Sequence, residues 1–155
     1  MNRQNLKLFL FALALVFGLG CATSTKIEYQ LVKSPDPSLR VVRILQNSQI
    51  GSSRTGSSSG FFFNPTHIIK DGKNFKTVSE LLSFLEITRK EHPVDALVIM
   101  VMVGPIQMYS ASDIQMRNEA IKACSDIGIK VLVQEVGGQE NRYFSAVPLP
   151  SRPNP

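Results

Sequence analysis

The chain has 155 residues, of which 17 are lysine or arginine and 12 are aspartate or glutamate. This length fits one domain of ordinary size behind a short leader, and it argues against a second domain. The net charge of +5 is mild and the basic residues are scattered. The composition therefore argues against nucleic-acid binding, since phosphate contacts need a basic cluster.

An uncharged apolar run from Leu8 to Gly20 follows Arg3 and Lys7 at the start of the chain. About 13 residues make only about 20 Å of helix. The hydrocarbon core of a bilayer is about 30 Å thick, so the run is too short to span it. Positive charge before a short apolar run is typical of an export signal, which we place at residues 1–20.

The signal ends in Gly18-Leu19-Gly20-Cys21, followed by Ala22-Thr23-Ser24. This segment resembles the bacterial lipoprotein signal, in which small residues precede a cysteine that receives the lipid. The resemblance implies cleavage before Cys21 and acyl chains, such as palmitate, that anchor Cys21 in a membrane of the cell envelope. Ala22 rather than Asp after the cysteine implies sorting to the outer membrane, with the domain in the periplasm. The alternative is an uncleaved or differently cleaved signal, in which Cys21 is an incidental small residue.

Removal of the signal would leave 15 basic and 12 acidic residues, and a net charge of +3 suits a solvated surface. With Cys21 assigned to the lipid, Cys124 is the one cysteine left. The sequence therefore predicts a fold without an intramolecular disulfide. Residues 21–25 form a short tether in this interpretation.

Two strands are predicted after the tether, at residues 26–32 and 39–45, because both are rich in β-branched and apolar residues. The proline-containing segment 34–38 favours a turn, so we expect these strands to form a hairpin. Residues 47–60 are rich in serine and glycine and bury too little apolar surface to offset their ordering entropy, which predicts a mobile loop. Phosphate binding is the alternative, but the segment has no Gly-Lys-Ser or Gly-Lys-Thr ending.

Three adjacent aromatic residues, Phe61-Phe62-Phe63, follow this loop. They either fill an edge of the core or form an exposed surface that contacts a partner. Farther along, Asp71-Gly72 is typical of a two-residue turn. We therefore predict a small hairpin between residues 66–70 and 73–75.

Two amphipathic helices are predicted from capping signals and apolar spacing. Thr77-Val78-Ser79-Glu80 fits a capping box and predicts a helix over residues 78–91. Ser112-Asp113-Ile114-Gln115 fits another and predicts a helix over residues 113–126, with Cys124 on its inward stripe. The apolar positions of the first helix are Leu81, Leu82, Leu85 and Ile87.

Strands are predicted before and after the second helix. The continuous apolar run at residues 96–103 indicates a strand buried on both faces. Residues 129–136 indicate a further strand. Residues 142–147 predict a short edge strand, and the proline-rich tail 148–155 is expected outside the sheet. The alternation of strands and helices predicts a single α/β domain over residues 26–147, with α+β as the alternative. We expect a small mixed sheet with two crossover helices.

Four short motifs lie between about residue 67 and residue 136: Lys70-Asp71-Gly72-Lys73, Val78-Ser79-Glu80-Leu81-Leu82, Ala96-Leu97-Val98-Ile99 and Ala123-Cys124-Ser125-Asp126-Ile127-Gly128-Ile129-Lys130-Val131. With these motifs the segment is similar to the periplasmic domain of ExbD/TolR proteins. The similarity implies the same α/β fold and a periplasmic module that dimerises or contacts envelope partners. The family's membrane helix carries an ionisable aspartate, which the uncharged run Leu8–Gly20 lacks, so proton-coupled work is not implied.

The residue types that carry most chemistry are sparse. His67, His92 and Cys124 have no compact metal-ligand spacing, so the sequence predicts no metal and no cofactor. A Cys-His nucleophile could pair Cys124 with either histidine. The alternative, which the helical spacing favours, is that Cys124 is a small buried hydrophobic residue.

These observations predict a lipid-anchored bacterial envelope lipoprotein that acts as a binding or structural module and not as an enzyme. Its candidate contact elements are the loop 47–60, the aromatic residues 61–63 and the tail 148–155. The rival hypothesis is an exported small enzyme or ligand-binding protein. Its site would lie at the strand ends near Gly104-Pro105 and Gly137-Gly138, where α/β sheets form crevices.

Overall fold

The computed structural model describes residues 25–33, 35–47, 60–63, 73–103 and 109–150. Seven strands and two helices lie within these ranges. In chain order they are β1 (Ile27–Val32), β2 (Val41–Asn47), β3 (Gly60–Phe63), β4 (Lys73–Phe75), α1 (Val78–Glu91), β5 (Ala96–Met102), α2 (Ala111–Asp126), β6 (Lys130–Val136) and β7 (Arg142–Pro148).

All seven strands join one mixed sheet in the order β1-β7-β6-β5-β2-β3-β4. The pairs β2–β5 and β5–β6 are parallel, and the other four pairs are antiparallel. Helix α2 crosses between the neighbouring parallel strands β5 and β6, and α1 crosses from the edge strand β4 to the central strand β5. The predicted α/β domain, with a mixed sheet and two crossover helices, is confirmed.

One apolar core lies between the sheet and both helices. Alternate residues of the central strands enter it, because successive side chains of a strand point to opposite faces. The sheet contributes Val42, Ile44, Leu97, Ile99, Val131 and Val133, and the helices contribute Leu81, Leu85, Ala120 and Ile121. Ala96 and Val98, on the opposite face of β5, are also fully buried. The prediction of a strand buried on both faces is confirmed.

The predicted hairpin between residues 26–32 and 39–45 is wrong, although both strands exist. Strand β1 pairs with β7, whereas β2 pairs with β5 and β3, so three strands separate β1 from β2. Burial explains the difference. Every second residue of β2 is buried, as a central strand requires, whereas four of the six residues of β1 are exposed, as an edge strand allows.

The strand predicted over residues 73–75 is present as β4. It pairs with β3, and Phe61 lies opposite Phe75. The partner predicted for it, residues 66–70, and the Asp71-Gly72 turn lie outside the described residues, so that hairpin stays a prediction.

Helix α1 has the predicted bounds, and its cap is close to the predicted one. The Thr77 side chain accepts a hydrogen bond from the Glu80 amide at 3.2 Å. The Glu80 carboxylate accepts from the Lys76 amide at 2.8 Å, one residue earlier than in a capping box. Together these bonds fix where the helix begins.

Helix α2 begins two residues before the predicted start. Its capping box joins Ser110 to Asp113: the Ser110 amide donates to Asp113 Oδ2 at 2.8 Å, and the Asp113 amide donates to Ser110 Oγ at 3.2 Å. The predicted cap at Ser112 is wrong, because the carboxylate of Asp113 reaches back three residues to Ser110. At the other end Gly128 has a φ of +75°, a conformation that suits glycine at a helix terminus.

Strand β7 is longer and less peripheral than predicted. It lies between β6 and β1, so it is not an edge strand. Pro148 pairs with Ile27, and the Leu149 amide donates to the Lys26 carbonyl at 2.9 Å. The proline-rich tail therefore starts inside the sheet, while residues 151–155 lie outside the described residues.

Candidate functional site

The structure describes the side chain of one of the three aromatic residues that the sequence analysis proposed for partner contact. Phe61 is fully buried in the core, which agrees with the core alternative and removes its ring from any contact with a partner. Phe62 and Phe63 lie in β3, but their side chains are not among those described. Cys21, the loop 48–59 and His67 also lie outside the described residues.

An open groove of about 890 Å³ lies between the edge strand β4 and helix α1. Its helical wall contains a stripe of residues that are four positions apart in the sequence. Residues with this spacing lie above one another on one face of a helix. The stripe consists of Ser79, Ser83, Ile87 and Glu91. Ile87 is one of the apolar positions of the predicted helix, and its side chain is 58% exposed.

Aromatic side chains form the base of the groove. The rings of Phe75, from β4, and Phe84, from α1, are 5.2 Å apart between centroids. Both side chains are buried, and the Lys73 ammonium group lies 5.1 Å from the centroid of the Phe84 ring. Such a cation–π contact holds the Lys73 side chain against the groove. The base is therefore apolar, with one positive charge on its β4 side.

The polar groups of the groove differ in how far they are already hydrogen-bonded. The Thr88 hydroxyl donates to the Phe84 carbonyl at 2.8 Å, and Glu80 accepts the Lys76 amide. Glu91 and His92, at the carboxyl end of α1, are exposed. The carboxylate of Glu91 is therefore accessible to a ligand in the groove.

The backbone of β4 borders the same groove. Among the described strands, β4 pairs with β3 alone and forms one edge of the sheet. An edge strand presents unpaired amide and carbonyl groups on its outer side. The groove thus combines an apolar base, an accessible carboxylate and a strand edge.

A buried polar cluster lies at the carboxyl ends of β2 and β5. The rival hypothesis places its site after β5 and β6, near Gly104-Pro105, which lies outside the described residues, and Gly137-Gly138. Gln46 donates through Nε2 to the Asp113 carbonyl at 2.7 Å and accepts through Oε1 from Arg117 Nη1 at 3.3 Å. Tyr109 Oη donates to the Gln46 carbonyl at 3.3 Å and accepts from the Met102 amide at 2.9 Å. Burial raises the pKa of Tyr109. These bonds tie α2 to the sheet.

Two atoms of this cluster, Asp113 Oδ1 and Arg117 Nε, are buried with no hydrogen-bond partner within the described ranges. They belong to residues four apart in α2, one an acceptor and the other a donor. The sequence analysis treated Asp113 as a helix-terminal residue and missed the cluster. Gln46 and Tyr109 gave no local signal, because the fold alone brings them together.

The candidate nucleophile Cys124 is fully buried in the core. Burial raises the pKa of its thiol to about 12, so the thiol is protonated at neutral pH and unreactive. The prediction that Cys124 packs as a small hydrophobic residue is confirmed. Within the described ranges, no group of three or more His, Cys, Asp or Glu side chains is placed to hold a metal ion.

No protein-family model matches the chain, and no curated protein or solved structure gives a significant match. Among the helices that the structure describes, none is long and apolar enough to cross a membrane.

Proposed function

We propose that this chain is a lipid-anchored bacterial envelope protein that works by binding another envelope component through the groove between β4 and α1. Cys21 is the proposed site of the lipid, and the outer membrane, facing the periplasm, is the proposed location. The observation that carries the binding role is the exposed Ile87 beside an apolar base and the last strand of the described sheet. Exposed apolar surface rimmed by polar groups is typical of an interaction site.

Two further observations support binding rather than catalysis. The thiol of Cys124 is buried and protonated, so it is a poor nucleophile. The polar groups at the carboxyl ends of β2 and β5 mostly bond to one another, and they stabilise the contact between α2 and the sheet. Core packing explains the first arrangement and the contact between α2 and the sheet explains the second, so neither requires a substrate.

The anchor is tested by intact mass and membrane fractionation of the wild-type chain and Cys21→Ala, expressed in a bacterial host. We expect the wild type to begin at Cys21, to carry acyl chains and to fractionate with membranes, and the variant to lose all three properties. An unlipidated, soluble wild-type product would contradict the proposal.

The role of the groove is tested by crosslinking intact membranes that contain the wild type, Ile87→Gln or Ile114→Gln. Ile114 is the matched control, because it is also an exposed helical isoleucine, 41% exposed against 58% for Ile87, and it lies on α2. We expect Ile87→Gln alone to lose the crosslinked envelope protein. Equal crosslinking by all three chains would contradict a role for the groove.

An exported enzyme or small-ligand binder is the second candidate. The unpartnered Asp113 Oδ1 and Arg117 Nε favour it, because unsatisfied buried polar atoms require an explanation. Cys124→Ala and His67→Ala, which are not among the residues that line the groove, discriminate the two candidates. Binding by a non-catalytic module survives both changes, whereas selective loss of a turnover activity in one of them would establish the second candidate.

A further inference from the structure

The strand edge and the helical stripe of the groove together define the shape of a ligand. Among the described strands β4 is the last of the sheet, and an extended polypeptide is the ligand whose backbone can pair with its outer groups while its side chains contact α1. We infer that the groove binds an extended segment of a partner protein, which adds to the sheet as a strand beside β4. This inference rests on the proposed binding function and specifies the class of partner.

The length of the groove fixes the length of that segment. The helical wall extends from Ser79 to His92. At a rise of 1.5 Å per residue this wall is about 20 Å long. A strand rises about 3.3 Å per residue, so about six residues of extended chain fill the groove.

The chemistry along the groove fixes the character of the side chains. Alternate residues of an added strand point towards α1. Those near the middle meet Phe84 and Ile87, which favour apolar side chains. At the carboxyl end of α1 the exposed Glu91 favours a basic side chain. The carboxylates of Glu80 and Glu91 outnumber the single ammonium group of Lys73, so the groove as a whole favours a basic segment over an acidic one.

The test uses labelled, end-blocked hexapeptides that alternate threonine with leucine or valine. One version carries lysine at the first position, one carries lysine at the last position, and the third carries glutamate at both. Binding to the full-length chain in detergent micelles is measured by fluorescence anisotropy. We expect one of the lysine peptides to bind, and the glutamate peptide to bind at least tenfold more weakly.

Two variants locate the binding to the groove. Ile87→Gln is expected to weaken the binding of the lysine peptide at least tenfold, while the matched control Ile114→Gln leaves it unchanged. Glu91→Gln is expected to reduce the preference for lysine over glutamate without abolishing binding. Thermal unfolding of each variant by circular dichroism confirms that it remains folded, as the exposure of these side chains leads us to expect.

Backbone methylation distinguishes strand addition from other modes of binding. In a strand that pairs along one edge, the amides of alternate residues point to the partner strand. Two N-methylated forms of the lysine peptide, each blocked at one alternate set of amides, keep the same side chains. We expect one form to lose at least tenfold in affinity and the other to bind like the unmodified peptide. Equal affinity of both forms would overturn strand addition.

The peptide test and the membrane test fail separately. If no hexapeptide binds at millimolar concentration while crosslinking in membranes still depends on Ile87, the inference of an extended peptide ligand is overturned and the proposed binding function stands. If Ile87→Gln changes neither peptide binding nor crosslinking, the groove is not the binding site, and the inference falls with it.

Discussion

Replacement of Phe61 by alanine should strongly destabilise the domain. The Phe61 side chain is fully buried in β3, opposite Phe75 of β4 and Gln46 of β2. A buried aromatic side chain removes about 150–250 Å² from water, which corresponds to roughly 4–6 kcal/mol at 25 cal/mol per Å². Measured phenylalanine-to-alanine changes in cores cost about 3–5 kcal/mol, and we adopt this range.

Urea unfolding of residues 22–155, followed by circular dichroism, measures this loss. With a slope of about 2 kcal/mol per M, the expected decrease moves the unfolding midpoint down by about 2 M. Such a loss is a large part of the roughly 5–15 kcal/mol that stabilises a domain, so partial unfolding without urea is also consistent with the reasoning.

Leu31→Ala is the control for this measurement. Leu31 also lies in a strand, the edge strand β1, but its side chain is 69% exposed. A substitution at such a site changes the free energy of unfolding by about 0.5 kcal/mol or less. Equal midpoints for Phe61→Ala and Leu31→Ala would refute the placement of Phe61 in the core.

Three further predictions concern other parts of the fold. Cys124 should react with iodoacetamide, as followed by mass spectrometry, much more slowly in the native chain than in urea, because burial raises the pKa of its thiol to about 12; equal rates would contradict its burial. Gln46→Leu should lower the free energy of unfolding by about 1–3 kcal/mol, because it removes the side-chain hydrogen bonds of Gln46 to the Asp113 carbonyl and to Arg117 Nη1. Hydrogen bonds from Arg40 lower the pKa of Asp95 to about 2, so its contribution to stability is complete above about pH 4 and is lost as the pH falls towards 2. Acid titration of Asp95→Asn should show a smaller loss over this interval, and an unchanged titration would contradict the ion pair.

The elements that could be predicted from the sequence are those specified by nearby residues. The start of α1 follows from Thr77 and Glu80, which are joined by a hydrogen bond in the first turn. The burial of β5 on both faces follows from an uninterrupted apolar run, Ala96–Met102. In these cases the interactions that decide the structure lie within a few residues, so composition and spacing are sufficient.

Strand pairing could not be predicted, because it depends on residues far apart in the chain. Residues 36–39 form a turn, yet β1 pairs with β7, more than 100 residues later. The strands compete for the centre of the sheet, and β2 lies there with Val42, Ile44 and Gln46 buried, whereas β1 lies at an edge. Local turn signals carry no information on this competition.

Only one wall of the groove, the polar face of α1, could be recognised in the sequence. The positions of Ser79, Ser83, Ile87 and Glu91 show that one face of α1 is mostly polar, with Ile87 as its apolar residue. Only the fold shows that this face borders the edge strand β4. The residues of one groove wall are close together in the sequence. The strand that forms the opposite wall is brought there by the topology of the sheet.

The two edges of the sheet differ in a way that favours β4 as the binding edge. Strand β1 forms the other edge of the described sheet, and its exposed Leu31 gives this edge an apolar surface as well. With the lipid on Cys21, as we propose, only about six residues separate the anchor from Ile27, and an extended chain of that length reaches about 20 Å. Such an anchor would hold strand β1 near the membrane surface. Six strand spacings of about 4.8 Å place β4 roughly 29 Å away across the sheet. If the proposed anchor is present, the groove therefore lies on the edge of the described sheet that is farther from it.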